Sequence, residues 1–492
     1  MVHQARLNTG AHGSVVLAFV TVNSGGQRPQ PVSRVAGAAS TGLASTALLT
    51  DRYELTMLTA ALRSGAAGRR AVFEVFARAL PHGRRYGVVA GAGRLLDALE
   101  HFTFGPEELD YLRDGGIVDE TTLCYLESYR FTGNIWGYGE GDCYFPGSPI
   151  LVVEAPFAEA VVLETLALSI LNHDTAIASA ASRMVNAADG RPIIEMGSRR
   201  THEMAGVASA RAAYIAGFSS TSNLRAGRDY GVPTSGTSAH AFTLVHDSER
   251  DAFAAQLAAL GPGTTLLVDT FDVAQAVRTA VELAGPELGA VRIDSGDLPK
   301  VTGQVRGLLD ELGARQTRIV LSGDLNEYSI AALAAAPVDG YGVGTSLVTG
   351  SGAPTAALVY KLVARALEAD GDGVLRPVAK HSVGKPSKGG RKWAVRQLDR
   401  QGIATTELIT TPPPANAATE LAEAPATGPA QRALLRPLVR DGEIVGRESL
   451  AAARDRHRRA LAELPVYALQ LSRGYPAIPT LFRPDNENGS ED

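Results

Sequence analysis

Between residues 157 and 365 the chain repeats one rhythm: a short apolar run, a corner of glycine and polar residues, then an alanine- and leucine-rich stretch. The runs lie in "RPIIEMGSRR", "AYIAGFSSTSN", "VPTSGTSAHAF", "TTLLVDTFDV", "GAVRIDSGDL", "TRIVLSGDL" and "VDGYGVGTSL". Unbroken apolar runs of this length mark strands buried on both faces, and their spacing of roughly 20 to 30 residues is that of βα units. Seven of them predict an α/β fold containing an irregular (β/α) barrel.

The flanking segments follow other periods. "ALLTDRYELTMLTAAL" places Leu55, Leu58 and Leu62 on one helix face, with Thr50 or Asp51 as the N-cap. "AVFEVFARALP" alternates as a strand does; helices follow from "AGAGRLLDALEHF" to "TTLCYLESYRF", and "GNIWGYGEGDCYFPGSPILVVEAP" reads as strands broken at Gly and Pro turns. Residues 47–156 are therefore expected to form an α+β N-terminal domain, and 157–365 the barrel, entered through a long helix or helix pair in "EAVVLETLALSILNHDTAIASAASRMVNAA". Residues 366–480 are expected to fold back on the N-terminal domain as appendages, including a Pro/Ala-rich loop at 412–430 and a charged helix in "ESLAAARDRHRRALAELP". Residues 1–46 read as a flexible extension, since "VVLAFV" lacks the basic flank and cleavage site of a signal peptide, and 481–492 as a solvated tail.

Composition then removes whole classes of partner. With 47 Lys and Arg against 52 Asp and Glu, there is no global positive field to hold nucleic acid or an anionic membrane, so any phosphate-bearing ligand must be gripped locally. No apolar run is long enough to cross a bilayer. The two cysteines, Cys124 and Cys143, suit neither a zinc site nor a disulfide framework, which points to a reducing cytoplasm and to packing roles for both.

In a parallel barrel the active site lies at the carboxyl ends of the strands, so the corners are where chemistry is sought. "GVGTSL" offers Gly342, Gly344, Thr345 and Ser346, and "LSGDLNE" offers Ser322, Gly323 and Asp324; either can cradle a phosphate or simply make a tight turn. "VRIDSGDL" sets Arg292, Asp294 and Asp297 around Ser295 and Gly296, a set that can hold ribose hydroxyls or Mg²⁺, unless Asp294 merely caps the next helix. "MGSRRTHE" places Arg199, Arg200 and His202 where guanidinium forks could clamp an anion, or where a basic turn meets solvent. Tyr53 reads as a packing residue on its helix face. His240, at the end of "VPTSGTSAHAF", is either a phosphoryl-accepting nucleophile or a hydrogen-bonded structural residue.

Taken in order, these segments resemble the nicotinate phosphoribosyltransferases. The resemblance runs from "LLTDRYELTM" through "FEVFARALP", "EGDCYFPGSPILVVEAP", "SRRTHE", "GFSSTSN", "GTSAHAF", "VDTFD", "RIDSGDL", "SGDLNE" and "GVGTSL" to "YKLV", over roughly residues 47–400. It implies a cytoplasmic, ATP-dependent, ligase-type enzyme of NAD salvage that joins nicotinate to 5-phosphoribosyl 1-diphosphate with Mg²⁺ as cofactor. It further implies that ATP transiently phosphorylates His240, with Thr237 and Ser238 as supports, and that Arg292 and Asp294 meet the ribose and phosphates. Ser322, Gly323, Gly344 and Thr345 would hold the 5′-phosphate, and Asp297 the diphosphate and metal. Arg199, Ser219 and Thr221 would recognise the ring and its carboxylate. Tyr53 would stack on the pyridine, reaching into the neighbouring subunit of a homodimer. Where relatives carry a Lys-rich loop with a "TxPG" core, this chain has "KHSVGKPSKGGRKWAVR", in which Lys380, Lys385 and Lys392 are expected to keep the basic character. The rivals are nicotinamide and quinolinate phosphoribosyltransferases and a non-catalytic nucleotide-sensing barrel.

Overall fold

The computed structural model describes residues 45–368, 374–380, 387–411 and 430–483. The N-terminal extension up to residue 44, Lys385, the Pro/Ala-rich loop up to residue 429 and the tail from residue 484 lie outside the described residues. The rest divides into two compact units. The larger comprises the chain through Thr234, Asp324–Ala334 and everything from Gly342; the smaller comprises Ser235–Gly323 and Ala335–Tyr341.

In the larger unit an antiparallel seven-stranded sheet runs in the order Leu375–Pro377, Leu358–Ala366, Arg70–Ala77, Leu151–Pro156, Asn134–Gly137, Arg436–Arg440, Glu443–Ile444. An interior strand, Arg70–Ala77, is buried at every position but the first, so the expected alternation of an open-faced strand is replaced by burial on both sides. The amphipathic helix Arg52–Ser64 buries Leu55 and Leu58, as its spacing predicts. Asp51 occupies its N-cap position without a side-chain cap; Thr50 instead donates its hydroxyl to Glu54. The long apolar segment forms two helices, Phe157–Val161 and Glu164–Ala187. The C-terminal segment returns to this sheet through Arg436–Arg440 and adds a four-stranded sheet in the order Ala430–Ala433, Trp393–Leu398, Ala404–Thr410, Thr480–Arg483. The last strand therefore continues into what reads as tail. Helix Leu450–Ala462 forms where the charged pattern predicts it.

Three expectations fail for physical reasons. "AYI" is the last turn of helix Glu203–Ile215, and the strand of "FSSTSN" shrinks to Ser220–Thr221. "VPTSGTSAHAF" holds no strand: one parallel bridge, Thr221 to Thr234, is followed by irregular chain up to a short helix, His240–Leu244. Only Val232 in its first half is apolar and buried, so Pro, Gly and hydroxyl residues have nothing to bury on two faces. Cys124 is also exposed, because helix Glu120–Glu127 turns Thr122, Leu123 and Leu126 inward, while Cys143 is buried.

The smaller unit carries the predicted βα rhythm. Strands Thr265–Leu267, Ala290–Ile293 and Arg318–Leu321 pair in parallel, and Gly340–Val343 pairs with the last through Gly340 and Tyr341. Helices Val273–Ala284 and Leu298–Glu311 follow the first two of these strands in the chain. The α/β class is thus the one expected. Among the described residues, no helix is long and apolar enough to cross a membrane.

Candidate functional site

Within the smaller unit the strand ends draw five of the expected residues into two hydrogen-bonded groups, Arg292 with Thr237 and Ser238, and Asp294 with Ser322. Strand Ala290–Ile293 carries Arg292 near its carboxyl end, and Arg292 donates from Nη1 to the Thr237 hydroxyl and to the Ser238 carbonyl at 3.1 Å. An always-charged guanidinium thereby fixes the irregular stretch leading to His240. The next residue but one, Asp294, accepts the Ser322 hydroxyl at 2.5 Å, and its own backbone N–H donates to Asp269 Oδ2 at 3.0 Å. Ser295 also donates to Asp269 Oδ2, at 2.6 Å. Gly323 holds φ +101°, and a Cβ there would sit 2.1 Å from the Asp294 carbonyl oxygen. Only glycine lets the two strand ends approach this closely.

His240 opens its short helix half-buried, with Nδ1 3.2 Å from the Thr270 hydroxyl. Asp269 and Thr270 were not singled out in the sequence, although "VDTFD" follows an apolar run as the other corners do. Asp269 Oδ1 is buried without a hydrogen-bond partner among the described residues. Burial, with Asp272 and Asp269 nearby, pushes the Glu249 carboxyl up from its ordinary range, so this corner is strongly acidic. The helix-capping alternative belongs to Asp297, not Asp294: exposed Asp297 accepts the Lys300 N–H at 3.4 Å at the N-terminus of Leu298–Glu311.

The larger unit holds the other candidates. Strand Ile193–Glu195 ends in a fully buried carboxylate: Glu195 accepts the Thr221 hydroxyl at 2.5 Å and the Gly197 N–H. Burial raises the Glu195 carboxyl above its usual range. Thr221, also buried, accepts the Asn223 N–H at 2.9 Å, so its hydroxyl fastens this turn together. Half-buried Ser219 donates to the Ile193 carbonyl at 2.8 Å. Arg199 and Arg200 stand exposed on the turn Ser198–Arg200, and His202, also exposed, caps helix Glu203–Ile215 through Nδ1. Gly344 precedes the short helix Thr345–Val348, on which Thr345 is exposed.

Tyr53 is 46 % exposed beside an anchored neighbour: Glu54, fully buried, accepts the Thr165 N–H at 3.0 Å. Partial burial, then Glu164 and Glu54, push the Tyr53 phenol up to about 12. In the loop expected to be basic, Lys380 is exposed, but Lys392 is buried and pairs with Glu74 at 2.7 Å. That ammonium is committed inside the sheet packing.

Residues 48–172 match the model of the nicotinate phosphoribosyltransferase N-terminal domain. The chain is 58 % identical over 441 residues to a nicotinate phosphoribosyltransferase of Mycobacterium tuberculosis, covering 88 % of this chain and 94 % of that one. A Bacillus subtilis nicotinate phosphoribosyltransferase is 38 % identical over 366 residues, covering 72 % of this chain and 74 % of its own. Among solved structures, human nicotinic acid phosphoribosyltransferase superposes with a TM-score of 0.74 at 25 % identity, covering 88 % of this chain and 97 % of the human one.

Proposed function

The chain belongs to the nicotinate phosphoribosyltransferase family, and from that premise we propose that it transfers the phosphoribosyl group of 5-phosphoribosyl 1-diphosphate to nicotinate in NAD salvage, releasing diphosphate. The likeness to the Mycobacterium tuberculosis enzyme along 94 % of that chain carries the proposal. Two finer readings belong to it: the reaction is coupled to ATP through phosphorylation of His240, and it runs in a homodimer in which Tyr53 serves the neighbouring subunit's site.

Phosphoribosyl transfer develops positive charge at C1′ while diphosphate departs, so the protein's task is to hold the sugar and neutralise the leaving group. Arg292 brings a charge fixed in direction by Thr237 and Ser238. Asp294, steadied by Ser322 and by Asp269, is suited to ribose hydroxyls. In the smaller unit Ser322 and Gly323, and in the larger unit Gly344 and Thr345, are read as 5′-phosphate-binding residues, and Arg199, Ser219 and Thr221 of the larger unit as those that recognise the nicotinate ring and carboxylate. Mg²⁺ takes one or two carboxylates plus substrate phosphates, and the unpartnered Asp269 Oδ1 beside Asp294 fits that demand, with Asp297 as a further donor. When bound, the ion would neutralise diphosphate charge.

At His240, Thr270 can accept a hydrogen bond from Nδ1–H, which leaves the Nε2 lone pair as nucleophile. Attack on the γ-phosphorus forms the P–N bond as the P–O bond to ADP breaks. The test is direct. The purified chain with nicotinate, phosphoribosyl diphosphate, ATP and Mg²⁺ should form nicotinate mononucleotide, and should prefer nicotinate to nicotinamide; no nucleotide from either base would defeat the enzyme reading. His240→Asn should abolish ATP hydrolysis and acid-labile phosphate incorporation while a weak, ATP-independent transfer persists. Undiminished phosphate incorporation in that variant would move the phosphoryl acceptor elsewhere.

A further inference from the structure

In the larger unit a cavity of about 210 Å³ is lined by two buried guanidiniums, those of Arg84 and Arg183, and by a single carboxylate, Glu327. None of its lining residues is among those assigned above to nicotinate, ribose, phosphate or metal. Glu327 is fully engaged: one oxygen pairs with Arg183 Nε at 3.2 Å, and the other accepts the Ser351 hydroxyl at 2.5 Å. Arg183 spends Nη2 on the Leu471 carbonyl at 3.1 Å and the Tyr328 hydroxyl at 3.3 Å. Arg84 has no ion-pair partner among the described residues. Its hydrogen bond runs from Nη2 to the neutral Gly350 carbonyl at 2.6 Å. The wall thus carries one buried positive charge more than it carries negative charge, and exposed Arg473 adds another at the rim.

A buried charge without a counter-charge is costly, and proteins meet that cost by pairing it or by binding an ion. Burial, and after it the neighbouring Arg183, hold the Arg84 guanidinium below its ordinary range, and the Glu327 carboxylate, already paired with Arg183, offsets this only in part. The backbone adds an independent sign. His82 and Ser351 both line the cavity at φ 52°, a region that L side chains seldom occupy and that recurs at ligand clamps. His82 is held there by Nε2–H donating to the Gly352 carbonyl at 3.0 Å.

We propose that this cavity is a binding site for a small phosphoryl anion, inorganic phosphate or inorganic diphosphate, held by Arg84 with Arg473 at its mouth. Guanidinium groups match tetrahedral oxyanions through paired N–H donors, and the Ser351 and Tyr328 hydroxyls supply neutral polar lining. The space equals about seven waters at ~30 Å³ each, enough for either anion with some of its water.

Equilibrium dialysis of the full-length chain against radiolabelled phosphate and, separately, diphosphate at matched ionic strength tests the proposal. Saturable binding of at least one anion is expected to persist in Arg292→Ala, which alters the strand-end corner. The same binding should weaken at least tenfold in Arg473→Ala, whose exposed position leaves folding intact, and disappear in Arg84→Met. Whichever anion binds more tightly identifies the natural occupant. Binding lost in Arg292→Ala but unchanged in Arg473→Ala and Arg84→Met would assign it to the strand ends and overturn the proposal, as would no saturable binding of either anion.

Discussion

Gly323 shows how a single residue governs the strand-end corner. Its φ of +101° and the 2.1 Å approach of a hypothetical Cβ to the Asp294 carbonyl mean that Gly323→Ala must push Asp294 away from Ser322 or strain the backbone. Strain of this kind costs about 1–3 kcal/mol. We expect Gly323→Ala to fold with a modest loss of Tm but to lose at least tenfold in kcat/KM for phosphoribosyl diphosphate; unchanged kinetics would mean that Asp294 does not depend on this contact. Arg292, Asp294 and Ser322 were legible because each follows an apolar run, where a parallel strand must end. Asp269 and Thr270 were not, because the same corner also contains Asp272, which caps helix Val273–Ala284 through the Gln275 N–H at 2.8 Å. A polar cluster that includes a helix cap gives no outward sign of which carboxylate turns toward the site. His240 was read as a strand-end residue, yet it begins a helix, since Val232 alone in the hydroxyl-rich run before it is a buried apolar residue, too little to pack as a strand.

Between elements, the most informative contact is the buried pair of Glu74, on strand Arg70–Ala77, and Lys392, just before strand Trp393–Leu398. Burial raises the Glu74 carboxyl and lowers the Lys392 ammonium despite their mutual attraction, so desolvation outweighs pairing on both sides. Such a pair adds little net stability, while breaking it leaves a bare buried charge at a cost of about 3–5 kcal/mol. Lys392→Met should therefore lower the unfolding free energy by about that amount, and adding Glu74→Leu should restore most of it. Denaturant unfolding of the three proteins decides this, and a double variant as weak as the single one would show that packing rather than charge sets the cost. In sequence this lysine looked like part of an exposed basic loop, because a charged side chain's partner 318 residues away leaves no local pattern. Long periodic elements such as Arg52–Ser64 and Leu450–Ala462 were legible for the opposite reason: their signal is local. The two-residue strand Ser220–Thr221 is too short to carry a period, and tertiary pairing alone defines it.

For the molecule as a whole, acid sensitivity should report on His457, which joins the C-terminal helix to the N-terminal part of the larger unit. The ring is buried, with Nδ1–H donating to the Gly141 carbonyl at 3.0 Å and Nε2 3.1 Å from the Ser182 hydroxyl. The Tyr86 hydroxyl lies 2.9 Å from the same Ser182 oxygen, so Tyr86 can donate to Ser182, Ser182 to His457 and His457 to Gly141. This relay is complete only with a neutral imidazole. A proton on Nε2 would turn the acceptor into a donor and place a charge in the core. Burial, above all, pulls His457 down from 6.5 to about 4. Because the folded value lies below the unfolded one, the unfolded chain binds the proton first. The stabilisation is present above about pH 6.5 and drains away as the pH falls toward 4. A shift of this size is worth about 3 kcal/mol. Buried carboxyls held above their usual range, such as Glu54, Glu159 and Glu195, act in the opposite sense, since folding then favours their protonated forms. The wild-type slope alone therefore mixes both signs, and the difference between wild type and His457→Gln isolates the histidine. The variant should be less stable at pH 7.5 but should lose less stability between pH 6.5 and 4.5; parallel stability curves would mean that His457 is already protonated in the folded protein or does not titrate on unfolding.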